Sequence, residues 1–66
     1  MFSVGQSIKR ARIRNLLTQR ELSERSGVTI RTIQNIENDM TEPGFFTVIR
    51  LAEVLKISLD SIAKGE

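Results

Sequence analysis

The stretch "RSGVTIRTIQN", residues 25–35, decides the fold, because parts of it are compatible with three different structures. Its many β-branched residues are typical of a strand. A strand here would have no pairing partner elsewhere in the chain, and an unpaired strand leaves its backbone groups unsatisfied. One continuous helix through Gly27 would give the glycine no purpose and would lose Thr29 as a cap. We therefore expect a tight turn at Gly27 and a new helix that begins after Thr29.

This new helix, over residues 30–38, separates apolar from polar side chains. At about 100° per residue, Ile33 and Ile36 fall on one face, with Glu37 at its edge. The opposite face carries four hydrogen-bonding side chains, which we call the polar quartet: Arg31, Gln34, Asn35 and Asn38. β-branched residues weaken a helix by only about a few tenths of a kcal/mol each, and packing overrides that. The pattern predicts a helix that packs through one face and exposes the polar quartet on the other.

The residues before the turn predict a second, shorter helix over residues 19–26. "TQRE" at residues 18–21 fits a capping box, in which Thr18 and Glu21 exchange hydrogen bonds with each other's backbone. Gly27 suits the left-handed position just past a helix end. Two short helices joined at this glycine make a helix-turn-helix, about residues 18–38, whose second helix can lie in the major groove of DNA.

Three further helices complete the predicted all-α fold of five helices. "SVGQ" at residues 3–6 fits a second capping box, closed by the side chain of its glutamine, before a helix over roughly residues 4–15. The turn "TEPG" at residues 41–44 precedes a fourth helix with an apolar stripe of Phe45, Val48, Ile49, Ala52 and Leu55. Ser58 caps a last short helix, whose expected buried residues are Leu59 and Ile62. We expect one domain over residues 1–66.

The composition argues against several functional classes. The chain of 66 residues contains no cysteine and no histidine, which removes disulfides, thiolate metal sites, and the commonest metal ligand and general base. We therefore expect no enzyme activity, no metal or other cofactor, and no small-molecule ligand. No apolar run approaches the roughly 20 residues of a membrane span, and no signal peptide pattern opens the chain. A cytoplasmic protein without a membrane partner is expected.

The charge is distributed unevenly along the chain. Residues 1–31 contain seven basic and two acidic residues, whereas residues 32–66 contain three basic and six acidic ones. The first half therefore has a net charge of +5 and the second half −3. This asymmetry suggests an anionic partner for the first half. An ordinary mixed, solvated surface would explain the charges equally well.

The chain resembles the Cro/C1-type (XRE) helix-turn-helix regulators of phages and bacteria. The resemblance covers about residues 4–63 and is carried by "TQRELSERSGVTIRTIQNIEN", residues 18–38, followed by "PGFFTVIRLAEVLKISLDSI", residues 43–62. The family's opening glutamine, turn glycine and Ile-x-x-Ile-Glu pattern match Gln19, Gly27 and residues 33–37. The resemblance implies a compact five-helix domain of the lambda-repressor type.

The sequence departs from the family pattern at several positions. Leu16, Asp39 and Lys56 occupy places where glycine is common, and we expect the helix ends at Leu16 and Lys56 to be shaped differently. Ser23 replaces the usual alanine. Glu42 puts an acid in a loop that often runs beside phosphates in relatives, which counts against phosphate contacts from that loop.

The resemblance implies roles in DNA binding for individual residues. The polar quartet is expected to contact base edges, because Arg can bind guanine, and Asn or Gln can bind adenine, through paired hydrogen bonds. Ile30 is expected either to touch a thymine methyl group or to pack in the seam between the two helices. The residues expected at DNA phosphates are Gln19, Arg20, Thr32 and Thr41.

The resemblance also implies a partly buried ion pair between Arg12 and Glu37 that orients the recognition helix. Because one short helix reads only a few base pairs, we expect a homodimer on a palindromic operator. The expected dimer surface consists of Phe46, Ile62 and Ala63, although Phe46 could instead close the edge of the core.

The most favoured function at this point is a sequence-specific regulator of transcription, expected to be a repressor, with double-stranded DNA as its partner. Two alternatives remain open. One is an antitoxin or anti-regulator that also binds a protein partner, and the other is the DNA-binding head of a larger repressor.

Overall fold

The computed structural model describes residues 3–64, and no strand occurs in that range. Five helices follow one another: α1 (Val4–Arg14), α2 (Gln19–Ser26), α3 (Ile30–Glu37), α4 (Phe45–Leu55) and α5 (Leu59–Ala63). The stretch over residues 25–35 is therefore the end of one helix, a turn and the start of another, as predicted. The all-α, five-helix fold is confirmed. Asn38 caps α3 and is not part of it, so this helix ends one residue earlier than expected.

Serine and threonine side chains begin four of these helices. Ser3, Thr18, Thr29 and Ser58 each accept a hydrogen bond from the backbone N–H three residues further on. At Thr18 the capping box is complete, because the Glu21 carboxylate accepts from the Thr18 N–H at 2.9 Å. Caps of this kind satisfy N–H groups that a helix leaves without an acceptor. These caps explain why the first residues of the helices could be predicted from the sequence.

The capping box expected at Ser3 is only half correct. The Ser3 hydroxyl accepts from the Gln6 N–H at 3.1 Å, as expected. The Gln6 side chain does not reach back to Ser3, however. It donates from Nε2 to the main-chain oxygen of Glu37 at 3.1 Å. A contact across the domain has replaced the local one, and it joins α1 to the end of α3.

A residue with a left-handed backbone follows each of the helices α1 to α4. Gly27 has a φ of 78°, as expected for the residue after α2. Positive φ values of 58°, 57° and 57° also occur at Leu16, Asp39 and Lys56, the three positions at which the family resemblance leads us to expect glycine. The expectation that Leu16 and Lys56 shape their helix ends differently is therefore wrong. In each of the three cases the backbone N–H of the next residue donates a hydrogen bond to the carbonyl oxygen five residues before it, as in a Schellman turn.

The core lies where α1 packs against α3, α4 and α5, while α2 packs against α3 and α4. Its members are aliphatic: Ile8, Ala11, Leu17, Leu22, Val28, Ile33, Ile36, Leu51 and Leu55. Two of the apolar residues predicted to be buried are exposed instead, Phe45 at 65% and Leu59 at 43%. Each is the first residue of its helix. Helical side chains lean toward the N-terminus, so these two extend past the edge of the packed body.

Gly5 allows α1 and α3 to approach each other backbone to backbone. The residue is buried, and a Cβ placed on it would overlap the main-chain carbonyl oxygen of Ile36. Glycine inside a helix is unfavourable relative to alanine by about 0.5–1 kcal/mol. Here it permits a crossing that no other residue would allow without movement of α3. This contact helps to fix where α3 lies.

Candidate nucleic-acid interface

The polar quartet lies on the side of α3 that faces away from the core. The aliphatic side chains behind it, Ile33 and Ile36, are 0% and 1% exposed. Of the quartet, Arg31, Gln34 and Asn38 are exposed and Asn35 is half-buried. Within the described part of the chain, this face is thus available to a partner. Its guanidinium and amide groups can donate and accept hydrogen bonds.

Ile30 begins α3 and is 38% exposed. Part of its surface is therefore covered and part faces outward. This degree of exposure is compatible with both expected roles, packing in the α2–α3 seam and contact with a methyl group on a partner.

The Glu37 carboxylate accepts hydrogen bonds from two side chains, Arg12 and Gln19. Its side chain is 1% exposed, and that of Arg12 is 12% exposed. Arg12 donates from Nε to Oε2 at 2.7 Å and from Nη2 to Oε1 at 2.9 Å. Paired hydrogen bonds between a guanidinium and a carboxylate add both energy and geometric specificity to the ion pair. The hydrogen bond with Glu37 raises the pKa of Arg12 above its ordinary value, although burial opposes the shift.

Two further bonds extend this ion pair into a clamp on the end of α3. Gln19 donates from Nε2 to Glu37 Oε1 at 3.1 Å, and Gln6 donates to the Glu37 main-chain oxygen at 3.1 Å. Arg12 also donates from Nη1 to the Leu17 carbonyl at 2.8 Å. We call Gln6, Arg12, Gln19 and Glu37 the Glu37 clamp. It ties α1, the α1–α2 connection and α2 to the last residue of α3.

The start of α2 was expected to contact phosphate, and the structure distinguishes the residues there. Arg20 is exposed, whereas Gln19 is half-buried and its amide has an internal partner in Glu37. The Glu21 carboxylate lies in the same first turn. Bonds from the Thr18 backbone and hydroxyl lower its pKa below the ordinary value of 4.5. Arg20 therefore supplies the positive charge at this end, and Glu21 opposes it.

Of the two threonines expected at phosphates, one lies in the first turn of α3 and the other follows the helix. Thr32, in its first turn, is half-buried, and its hydroxyl oxygen accepts a hydrogen bond from the Thr29 hydroxyl at 2.9 Å. The Thr32 hydroxyl hydrogen can still be donated to a partner. Thr41 follows α3 and is exposed beside the equally exposed Glu42.

The residues expected at a dimer surface do not share one environment. Phe46 is 76% exposed, and its ring meets that of Phe45 edge-on, with the centroids 5.7 Å apart. Ala63 is exposed. Ile62 is only 3% exposed, so its assignment to a dimer surface is wrong. As the sequence pattern of the last helix had also indicated, Ile62 is the residue by which α5 packs on the domain.

Over residues 3–64, no group of three or more acidic side chains is placed so that it could hold a metal ion. None of the helices in that range has the length and apolar character needed to cross a membrane.

Sequence reasoning missed three features of this site: the close approach at Gly5, the Gln6 bond and the Gln19 bond. A signal existed for Gly5, because a glycine within a helical pattern often marks a close approach. No local signal existed for the two glutamines, since their partner lies 31 and 18 residues away. Such separations become contacts only through the packing of α1 and α2 on α3.

Comparison with known proteins gives two findings. A family model described as helix-turn-helix matches residues 8–62. The chain is 33% identical over 66 residues to a Bacillus subtilis (strain 168) protein named "Uncharacterized HTH-type transcriptional regulator YqaE". The chain spans about half of that relative's length, 55%. No solved structure matches the chain.

Proposed function

Because the chain belongs to the Cro/C1-type (XRE) helix-turn-helix family of DNA-binding transcription regulators, we propose that it is a sequence-specific repressor. In this proposal α3 lies in the major groove of double-stranded DNA. The family is not one of enzymes. The observation that carries the proposal is the uncovered polar face of α3, supported from behind by two fully buried isoleucines. A regulator of DNA acts where the DNA is, so the proposed location is the cytoplasm.

Base edges are read by the polar quartet. Arg31, exposed in the first turn of α3, is proposed to bind guanine O6 and N7, and Gln34 and Asn35 to bind adenine. Asn38 lies just past the helix end and contributes at the flank. Ile30 adds contact with a thymine methyl group or stays in the α2–α3 seam.

Phosphate contacts are proposed for three exposed or half-buried side chains at the flanks of α3: Arg20, Thr32 and Thr41. Contacts of this kind fix the position of the protein on the duplex without reading the sequence. Arg20 is the charged member, and it lies at the end of α2 where the helix dipole favours an anion. Gln19, half-buried at the same end of α2, is proposed to donate its second amide N–H to a phosphate.

A homodimer on a palindromic operator is proposed for the assembled regulator. Two copies of α3 would then read half-sites about 34–36 Å apart. The exposed rings of Phe46 and Phe45 support this proposal, because neighbouring aromatic side chains this exposed are suited to burial against a second copy. Ala63 is proposed to join the surface.

The same DNA-binding face would serve two alternative proteins. One is an antitoxin that also binds a protein partner, and the other is the head of a larger repressor. Co-purification with a second protein would favour the antitoxin. Neither alternative changes the residues proposed to contact DNA.

Selection of binding sites from random duplex DNA tests the proposal directly. We expect a palindromic or pseudo-palindromic site, with the logarithm of affinity falling linearly with the logarithm of salt concentration. Arg31→Ala should weaken binding by about 1–3 kcal/mol and relax the preference at one position in each half-site. If the purified chain binds no duplex even at low salt, the proposal is wrong.

A further inference from the structure

We propose that one side of α1 is a docking surface for an acidic segment of another protein, a segment in which apolar side chains lie among carboxylates. The surface consists of four exposed residues, Lys9, Ile13, Arg14 and Leu16, which we call the α1 outer face. This inference goes beyond the proposed function, because none of the four is among the residues proposed to contact DNA or a second copy of the chain.

The first observation is the conformation and exposure of Leu16. Its φ is 58°, a left-handed backbone that is unfavourable for any residue with a Cβ. Its side chain is 89% exposed, so it gains almost no burial within the domain. Among the described residues, the other non-glycine residues with a positive φ are Asp39 and Lys56, whose charged side chains are exposed to water. Leu16 is therefore unfavourable for the domain on its own, and an outlier of this kind points to a function.

The second observation is another large apolar side chain beside Leu16. Ile13 is 54% exposed. The Leu16 N–H donates to the Ile13 carbonyl oxygen at 2.9 Å, so the two residues lie one turn apart. Because α1 packs into the core through Ile8 and Ala11, Ile13 lies on the opposite side of the helix at about 100° per residue. Adjacent apolar side chains that stay exposed within a polar rim are typical of interaction sites.

The third observation is the charge around these two side chains. α1 contains no acidic residue and four basic ones: Lys9, Arg10, Arg12 and Arg14. Arg12 is balanced by Glu37. Lys9 lies one turn before Ile13 and Arg14 directly follows it, and neither basic side chain makes a hydrogen bond or an ion pair within residues 3–64. The α1 outer face therefore combines two exposed apolar side chains with two positive charges.

This combination specifies the chemistry of the partner. The phosphates of DNA would pair with Lys9 and Arg14 but would give Ile13 and Leu16 no apolar contact. A purely apolar segment would leave the two positive charges unpaired. A segment that carries carboxylates beside apolar side chains complements both features, and the charges would also disfavour a basic partner.

Three synthetic peptides of about four helical turns serve as probes. The first consists of glutamates with leucines at helical spacing, the second has serine in place of each leucine, and the third has lysine in place of each glutamate. Each peptide is titrated into the isotope-labelled protein, and the backbone amide resonances report where it binds and how tightly. We expect the first peptide to shift the resonances of residues 9–17 and to bind at least about tenfold more tightly than the other two. Its affinity should fall as salt is added.

Leu16→Gly is the decisive variant, because it removes the apolar side chain and also relieves the left-handed backbone. We expect it to lower the affinity for the first peptide by about fivefold to tenfold while the domain becomes more stable, so that a loss of folding does not explain the result. Ile13→Ser should lower the affinity by a similar factor, whereas the control Met40→Ser, at a side chain that is 71% exposed, should not. Arg14→Gln should weaken binding, and Arg31→Gln, at an exposed arginine of α3, should not.

The inference is overturned if the first peptide shifts the resonances of α3 and leaves those of α1 in place, or if Leu16→Gly binds it as tightly as the parent. It is also overturned if Leu16→Gly and Ile13→Ser weaken binding to a random DNA duplex, because the α1 outer face would then be a phosphate contact. Weaker self-association of these two variants in sedimentation experiments would identify a second copy of the chain as the occupant, and that result too would overturn the inference.

Discussion

Replacement of Glu37 by alanine should remove a large part of the stability of this domain. The carboxylate is 1% exposed and accepts two hydrogen bonds from Arg12 and one from Gln19. Without it the Arg12 guanidinium, 12% exposed, keeps its charge but loses its counter-ion. Removing one partner of a buried ion pair costs about 3–5 kcal/mol. The total stability expected of a 66-residue domain is only about 3–10 kcal/mol.

Thermal and urea unfolding followed by circular dichroism measure this loss. In a domain of this size each kcal/mol moves the Tm by about 4–8 °C, so Glu37→Ala should lower it by at least about 12 °C. Glu42→Ala is the matched control, because it deletes the same group from an exposed position after α3. Its effect should stay within about 0.5 kcal/mol.

A double variant separates the net contribution of the ion pair to stability from the cost of leaving one charged partner buried and unpaired. Arg12→Met combined with Glu37→Met removes both charges and fills the space with apolar side chains. Such replacements are often close to neutral, so the double variant should be clearly more stable than Glu37→Ala. Equal unfolding midpoints for Glu37→Ala and Glu42→Ala would refute this reasoning. So would a double variant as unstable as Glu37→Ala.

Three further substitutions test other parts of the structure. Leu16→Gly should raise stability by about 0.5–1 kcal/mol in urea unfolding, because Leu16 is 89% exposed and has a φ of 58°. Arg14→Gly, at an exposed position within α1, should lower the stability by about as much. If both substitutions changed the stability in the same direction, the argument would be contradicted. Glu21 has a lowered pKa, so its stabilising contribution is complete above its unfolded pKa and is lost as pH falls through the lower folded value. Glu21→Gln should therefore flatten the decline of stability in acid, and an unchanged pH profile would count against the capping interaction. Phe46→Ser should weaken self-association in sedimentation experiments, whereas the control Leu16→Ser should not, and equal association constants for both would exclude Phe46 from the dimer surface.

Local sequence signals were enough to predict the five helices and the turn at Gly27. Caps such as Thr18 and Thr29 act within three residues, and the apolar spacing of Ile33 and Ile36 repeats within one helix. These signals depend on short-range geometry, which the order of residues specifies directly. The polar face of α3 followed from the same spacing. The pairing of Arg12 with Glu37, by contrast, was expected only from resemblance to a family.

Only the tertiary structure decided how these helices meet. It gave Gln6 and Gln19 a shared partner in Glu37, brought the backbone of Gly5 against α3, and left Phe45 and Leu59 exposed. A helical period identifies which residues form an apolar stripe. It does not show how far along that stripe the neighbouring helices extend, and therefore which of its residues they bury. The crossing of α1 and α2 on α3 arises from long-range packing, and this packing determines which polar groups stay within the domain and which remain available to a partner.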